Sequence, residues 1–110
     1  MKIQDVPFSF TDWSMIESQE FAGERATSYW RTFSSGELRV RMVEYAPGFR
    51  SDHWCPRGHV LLVLEGDLTI ELKDGRVIKL PPRTSFQVGD DDTNPHLAYT
   101  EKGATVFIVD

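Results

Sequence analysis

The chain has 110 residues, 40% of them hydrophobic and 26% charged, with a formal net charge of −5. That length fits one domain with a single core, and the composition is that of a globular protein, neither disordered nor fibrous. Its twelve Lys and Arg residues are scattered among seventeen acids, so no basic stripe exists to neutralise phosphates and nucleic acid is not an expected partner.

The N-terminus, MKIQDVPFSF, lacks the apolar core of a signal peptide, and no apolar run approaches the ~20 residues that span a bilayer. With Cys55 as the one cysteine, no intramolecular disulfide can form, and a cytoplasmic location without membrane contact is expected. Residues 1–27 carry Phe8, Phe10, Trp13 and Phe21 among polar neighbours without a sustained period and read as an irregular arm.

Residues 28–110 read as the body of the domain, a succession of short β-like runs separated by Gly, Pro, Asp and Asn. The runs are Ser28–Phe33, Glu37–Tyr45, Val60–Leu64, Asp67–Leu72, Val77–Leu80, Ser85–Val88, Leu97–Thr100 and Thr105–Val109. Between Leu72 and Val77, the dipeptide Asp74-Gly75 predicts a type I′ hairpin turn with two positive-φ residues. Leu68, Ile70 and Leu72 share one face of their strand and Asp67, Thr69 and Glu71 the other, which predicts one buried and one wet side. Val60–Leu64 is apolar on both faces, which calls for cover by a second sheet or subunit and predicts a homodimer. The acidic run Asp90–Asp92 reads as a solvated turn.

All three histidines and the cysteine fall between residues 53 and 96, three of these four within Asp52–His59, DHWCPRGH. His53 and Cys55, two apart, would share one face of an extended strand. His59 has the parity of Leu61 and Val63, and His96 opens a later strand. Imidazole and thiolate suit a divalent transition metal (zinc, nickel or iron) and not magnesium or calcium. The metal-ligand set read from the chain is therefore His53, Cys55, His59 and His96, against the plainer reading in which each residue packs in the core with one hydrogen bond. On the preceding strand, Leu38, Val40, Met42 and Glu44 share one face, and Arg39, Arg41, Val43 and Tyr45 the other. Arg41 with Tyr45 would hold an anionic substrate and Glu44 would serve as a general base, if these groups do not simply face solvent.

APGFRSDHWCPRGHVLLVLEGDL resembles the first motif of the cupin superfamily, in which a Pro-Gly turn precedes two histidines, then a glutamate and a closing glycine. Pro47-Gly48, His53, Cys55, His59 and Gly66 occupy those places, with Cys55 where the second histidine stands and His59 where the glutamate stands. Gly75, Pro81 and His96 echo the second motif, with Arg83 in place of its internal glycine. Asp52, His53, Trp54 and Cys55 also look like the signature of small bacterial cupins labelled by the letters D, H, C and W. The resemblance implies an all-β, single-domain cupin (double-stranded β-helix or jelly-roll) barrel, a bound metal, a homodimer and a small-molecule ligand. Three functions stay open: a metal-dependent enzyme of dioxygenase, isomerase or lyase type acting on a small polar or anionic molecule, a non-catalytic small-molecule or metal-binding module, and a metal-free structural barrel.

Overall fold

A computed structural model describes residues 2–110 as an all-β molecule. Its strands are β1 (Gln19–Ala22), β2 (Thr27–Ser35), β3 (Leu38–Tyr45), β4 (His59–Gly66), β5 (Leu68–Leu72), β6 (Val77–Leu80), β7 (Ser85–Val88), β8 (His96–Tyr99) and β9 (Ala104–Val109). They form two antiparallel sheets, one in the order β1-β2-β3-β9-β4-β7 and one in the order β6-β5-β8. Each of the eight runs expected from the sequence falls on a strand. The arm is more ordered than its composition suggests, because Gln19–Ala22 adds to the edge of β2, where Phe21 packs on Trp30 with ring centroids 4.3 Å apart.

The core lies between the sheets. Val43, Val63 and Val106 from the large sheet meet Leu68, Ile70, Leu80 and Ala98 from the small one. Inward residues follow the expected parity, with Leu61 and Val63 buried on β4 and Leu68 and Ile70 on β5. On the outer face of β4, Val60 and Leu64 stay partly exposed in the single chain.

Two local expectations fail for backbone reasons. The β5–β6 hairpin is not type I′, since Gly75 has φ +99° but Asp74 is not in the positive-φ region. Gly75 N–H donates to Leu72 O and Leu72 N–H to Arg76 O, both at 2.9 Å, which makes a three-residue loop of Lys73, Asp74 and Gly75 closed by one left-handed glycine. Asp74 instead uses its carboxylate to accept from Arg76 N–H at 3.0 Å, a side-chain turn that needs no positive φ.

The second failure concerns Ser51–Gly58, which forms no strand. Arg50 pairs with Tyr99, so an unbroken ladder would set His53 opposite His96; the residue found there is Cys55. Two extra residues have looped out, carrying His53 away from the ladder and bringing Cys55 in.

Candidate metal centre

Cys55, His59 and His96 come from a loop, the large sheet and the small sheet, and their ligand atoms all lie within 4.8 Å of one another. Backbone bonds fix two of them together: Cys55 N–H donates to His96 O at 2.7 Å, and His96 N–H to Cys55 O at 3.0 Å. His59 Nε2 lies 3.0 Å from His96 Nε2 and 3.8 Å from Cys55 Sγ. Separations of this size are what bonds of about 2.0 Å to nitrogen and 2.3 Å to sulfur give around one tetrahedral ion, so these residues fit a transition metal.

Both imidazoles are held neutral near pH 7, the form that ligates. Burial lowers the pKa of His59, opposed by Asp110, and burial with the neighbouring His59 lowers that of His96 to about 4.

Behind His59 sits Asp110, which the sequence reading passed over. Its side chain is 1% exposed and its Oδ2 lies 2.9 Å from His59 Nδ1. Burial would raise this carboxyl, but hydrogen bonds from Arg39 and His59 and the Arg41 charge hold it well below the usual range, so it is ionised and the imidazole must donate. Arg39 grips Asp110 with two bonds of 2.9 Å, Arg41 Nη2 donates at 3.1 Å, and Arg57 Nε stands 3.3 Å away.

Register explains this convergence. β9 lies between β3 and β4, with Val109 opposite both Val40 and Val60, so position 110 falls level with Arg39 on one side and His59 on the other. Asp110 shares inward parity with the buried Val106 and Ile108, a signal present in the sequence.

The centre opens into a cavity of about 310 Å³ whose polar wall includes Arg39, Arg41, Tyr45 and Arg57 and whose apolar wall includes Leu61 and Phe86. Of the residues singled out from the sequence, Arg41 and Tyr45 line this cavity beside Cys55, His59 and His96. Burial pushes the Tyr45 phenol up to about 12, so it keeps its proton near pH 7. His53 reaches the cavity wall but lies outside the close ligand group; its side chain is 73% exposed and its Nδ1 stands 2.6 Å from Asp52 Oδ1. Glu44 is not part of the cavity wall: it occupies the outward face of β3 and pairs with Arg31 at 3.3 Å.

No family model matches the chain, and no curated protein matches it in sequence. Solved structures do match its fold. A RmlC-like cupin from Shewanella frigidimarina superposes with a TM-score of 0.74 at 20% identity, covering 96% of this chain and 92% of that one. A predicted oxalate decarboxylase from Thermotoga maritima gives 0.76 at 11% identity, over 92% and 96% of the two chains. A sugar phosphate isomerase of the cupin superfamily from Silicibacter pomeroyi gives 0.70 at 17% identity, over 92% and 74%. At such identities the shared property is the fold, and that fold is the cupin jelly roll expected from the Pro47-Gly48 and His96 motifs.

Proposed function

We propose that this cupin-fold protein is a metal-dependent enzyme that holds a divalent transition metal (zinc, nickel or iron) on Cys55, His59 and His96 and acts on a small polar or anionic molecule in the adjoining cavity. The observation that carries this reading is the mutual approach of one thiol and two neutral imidazoles within 4.8 Å. Three protein ligands match the number used by catalytic zinc centres, whereas structural ones use four. When bound, the metal supplies Lewis-acid polarisation of a substrate oxygen.

The chain's own residues support that chemistry in separate ways. Asp110 orients His59 so that Nε2 faces the centre. Arg41 and Tyr45 present positive charge and a protonated hydroxyl to the cavity, as binding of an anionic substrate requires. Fold neighbours named as a sugar phosphate isomerase and a predicted oxalate decarboxylase support isomerase or lyase chemistry on such a scaffold, and the dioxygenase alternative rests on the motif resemblance alone. A free thiol among the ligands suits a reducing cytoplasm. The exposed Val60 and Leu64, with Phe8 and Phe10 projecting from the arm, support a homodimer, and DHWC at Asp52–Cys55 supports a likeness to the D, H, C and W cupins.

Metal analysis of the untagged protein beside His59→Ala and Cys55→Ser tests the reading. One equivalent of transition metal in wild type and marked loss in His59→Ala is the expected result; substoichiometric metal after growth in zinc-, nickel- or iron-supplemented medium would overturn it.

A further inference from the structure

The cavity wall carries more positive charge than the protein uses. Arg39, Arg41 and Arg57 all contact the single carboxylate of Asp110, which leaves two cationic charges in excess. Arg39 satisfies itself with two bonds to Asp110. Arg41 does not. Its side chain is 5% exposed, and among the described residues only Nη2 meets an acceptor while the buried Nε has no hydrogen-bond partner. A buried guanidinium with idle donors is costly unless something else completes it, since lost hydrogen bonds to a charged group cost more than neutral ones. The Trp30 ring, 4.4 Å from the Arg41 carbon, holds the guanidinium from one face but accepts none of those in-plane donors. Arg57, half-exposed at the same cavity, stands with its Nε 3.3 Å from Asp110 Oδ2.

We propose that Arg41 and Arg57 form a seat for the carboxylate of a small organic acid, with the neutral Tyr45 hydroxyl as an additional donor. A planar carboxylate matches the fork of a guanidinium, as the Arg39–Asp110 pair in the same wall illustrates. The remaining wall selects the rest of the ligand. Leu61, Ile70, Phe86 and Ile108 offer apolar surface that an inorganic oxyanion would leave uncovered, whereas the body of an organic acid covers it. This seat rests on reading the cavity as a substrate pocket beside the metal centre, and it names the group by which the substrate is held.

The test uses protein stripped of metal by chelation and dialysis, with butyrate, its neutral isostere butyramide, and inorganic phosphate as probes, read through the NMR signals of the arginine Nε–H groups. Butyrate is expected to shift the Arg41 and Arg57 signals saturably, with butyramide and phosphate weaker by about tenfold or more. Arg57→Gln, at an exposed position, and Arg41→Met are each expected to weaken butyrate by about tenfold or more while zinc uptake by Arg57→Gln stays at the wild-type level. Should Arg41→Met not fold, Arg57→Gln decides alone. The seat is overturned by no saturable shift, by butyramide or phosphate binding as tightly as butyrate, or by unchanged butyrate affinity in Arg57→Gln. Zinc uptake in the same wild-type sample separates the two readings, because its absence removes the metal centre and leaves the butyrate result standing.

Discussion

Asp110 Oδ2 lies 2.9 Å from His59 Nδ1, and because the carboxylate is ionised the contact fixes the tautomer that turns Nε2 toward Cys55 and His96. The same oxygen is also within reach of Arg41 and Arg57. One buried carboxylate therefore orients a ligand and neutralises part of an arginine cluster, and the two duties can be separated by mutation.

Asp110→Asn keeps an oxygen that can accept from Nδ1 but removes the charge, whereas Asp110→Ala removes both. The alanine variant is expected to bind zinc about 10–100-fold more weakly, with the asparagine variant between it and wild type. Both should lose about 3 kcal/mol or more of stability, because Arg41 is left buried without its counter-ion. Competition against a chromophoric chelator and urea unfolding give the two quantities. Equal zinc affinity in wild type and Asp110→Ala would show that the contact does not orient His59.

Cobalt substitution reports on the thiol directly. Wild type loaded with Co(II) should show an intense near-ultraviolet charge-transfer band from sulfur, and Cys55→Ser should lose that band while keeping weaker ligand-field absorption from the two imidazoles. His53→Ala is expected to leave the band in place and to cost less than about tenfold in affinity, since the His53 ring lies outside the close ligand group and is occupied by Asp52. Retention of the sulfur band in Cys55→Ser would remove Cys55 from the site.

Much of this centre was written in local parity. His59 sits inward because Leu61 and Val63 do, and Arg41 reaches the cavity with Tyr45 because the two share a face of β3. What parity could not reveal is where a ladder slips. His53 and Cys55 have equal parity, and only the two-residue loop-out between the Arg50–Tyr99 and Cys55–His96 pairs sends them to different places. Glu44 shows the complementary limit, because parity separates the faces of β3 without saying which is inside. Asp110 was legible in principle, two residues beyond the apolar Ile108, but its partners on β3 and β4 appear only once β9 is seen to lie between them.

Stability of the metal-free protein should depend on pH through His96. Its folded pKa is lowered from 6.5 to about 4, so between those values the unfolded chain binds more protons and stability rises with pH, levelling off above 6.5. Over that window the gain is on the order of 3 kcal/mol. His59, also lowered by burial, adds to the slope in the same direction. Asp110 acts further down: its depressed pKa contributes stability that is complete above the ordinary carboxylate range and lost as pH falls below it. Urea midpoints from pH 4.5 to 7.5 should climb less steeply in His96→Gln than in wild type. Parallel slopes would mean that His96 is not held neutral by its surroundings.

Glu44→Gln tests the outward face of β3. Glu44 is exposed and paired only with Arg31, so the substitution is expected to change stability by less than about 1 kcal/mol and to leave zinc and butyrate binding as in wild type. Turnover assays, once a substrate is found, would assign Glu44 to the chemistry only if the variant lost activity with its binding intact.

Arg83 offers a test of the backbone that frames the site. It stands where the second cupin motif has glycine, and its φ of +71° is one that side chains other than glycine tolerate poorly. The turn holds it there regardless: Arg83 N–H donates to Val63 O at 2.9 Å, and the Thr84 hydroxyl donates to Pro81 O at 2.6 Å. Left-handed strain in a residue with a Cβ costs about 1–2 kcal/mol, and the extra chain entropy of glycine in the unfolded state offsets about half of that. Arg83→Gly should therefore be more stable than wild type by up to about 1 kcal/mol, a rise of several degrees in Tm for a domain of this size. Because Arg83 is neither part of the cavity wall nor one of the three close ligand residues, the gain should come without change in zinc affinity. A lower Tm in Arg83→Gly would mean that the arginine side chain itself stabilises the turn by more than its backbone strain costs.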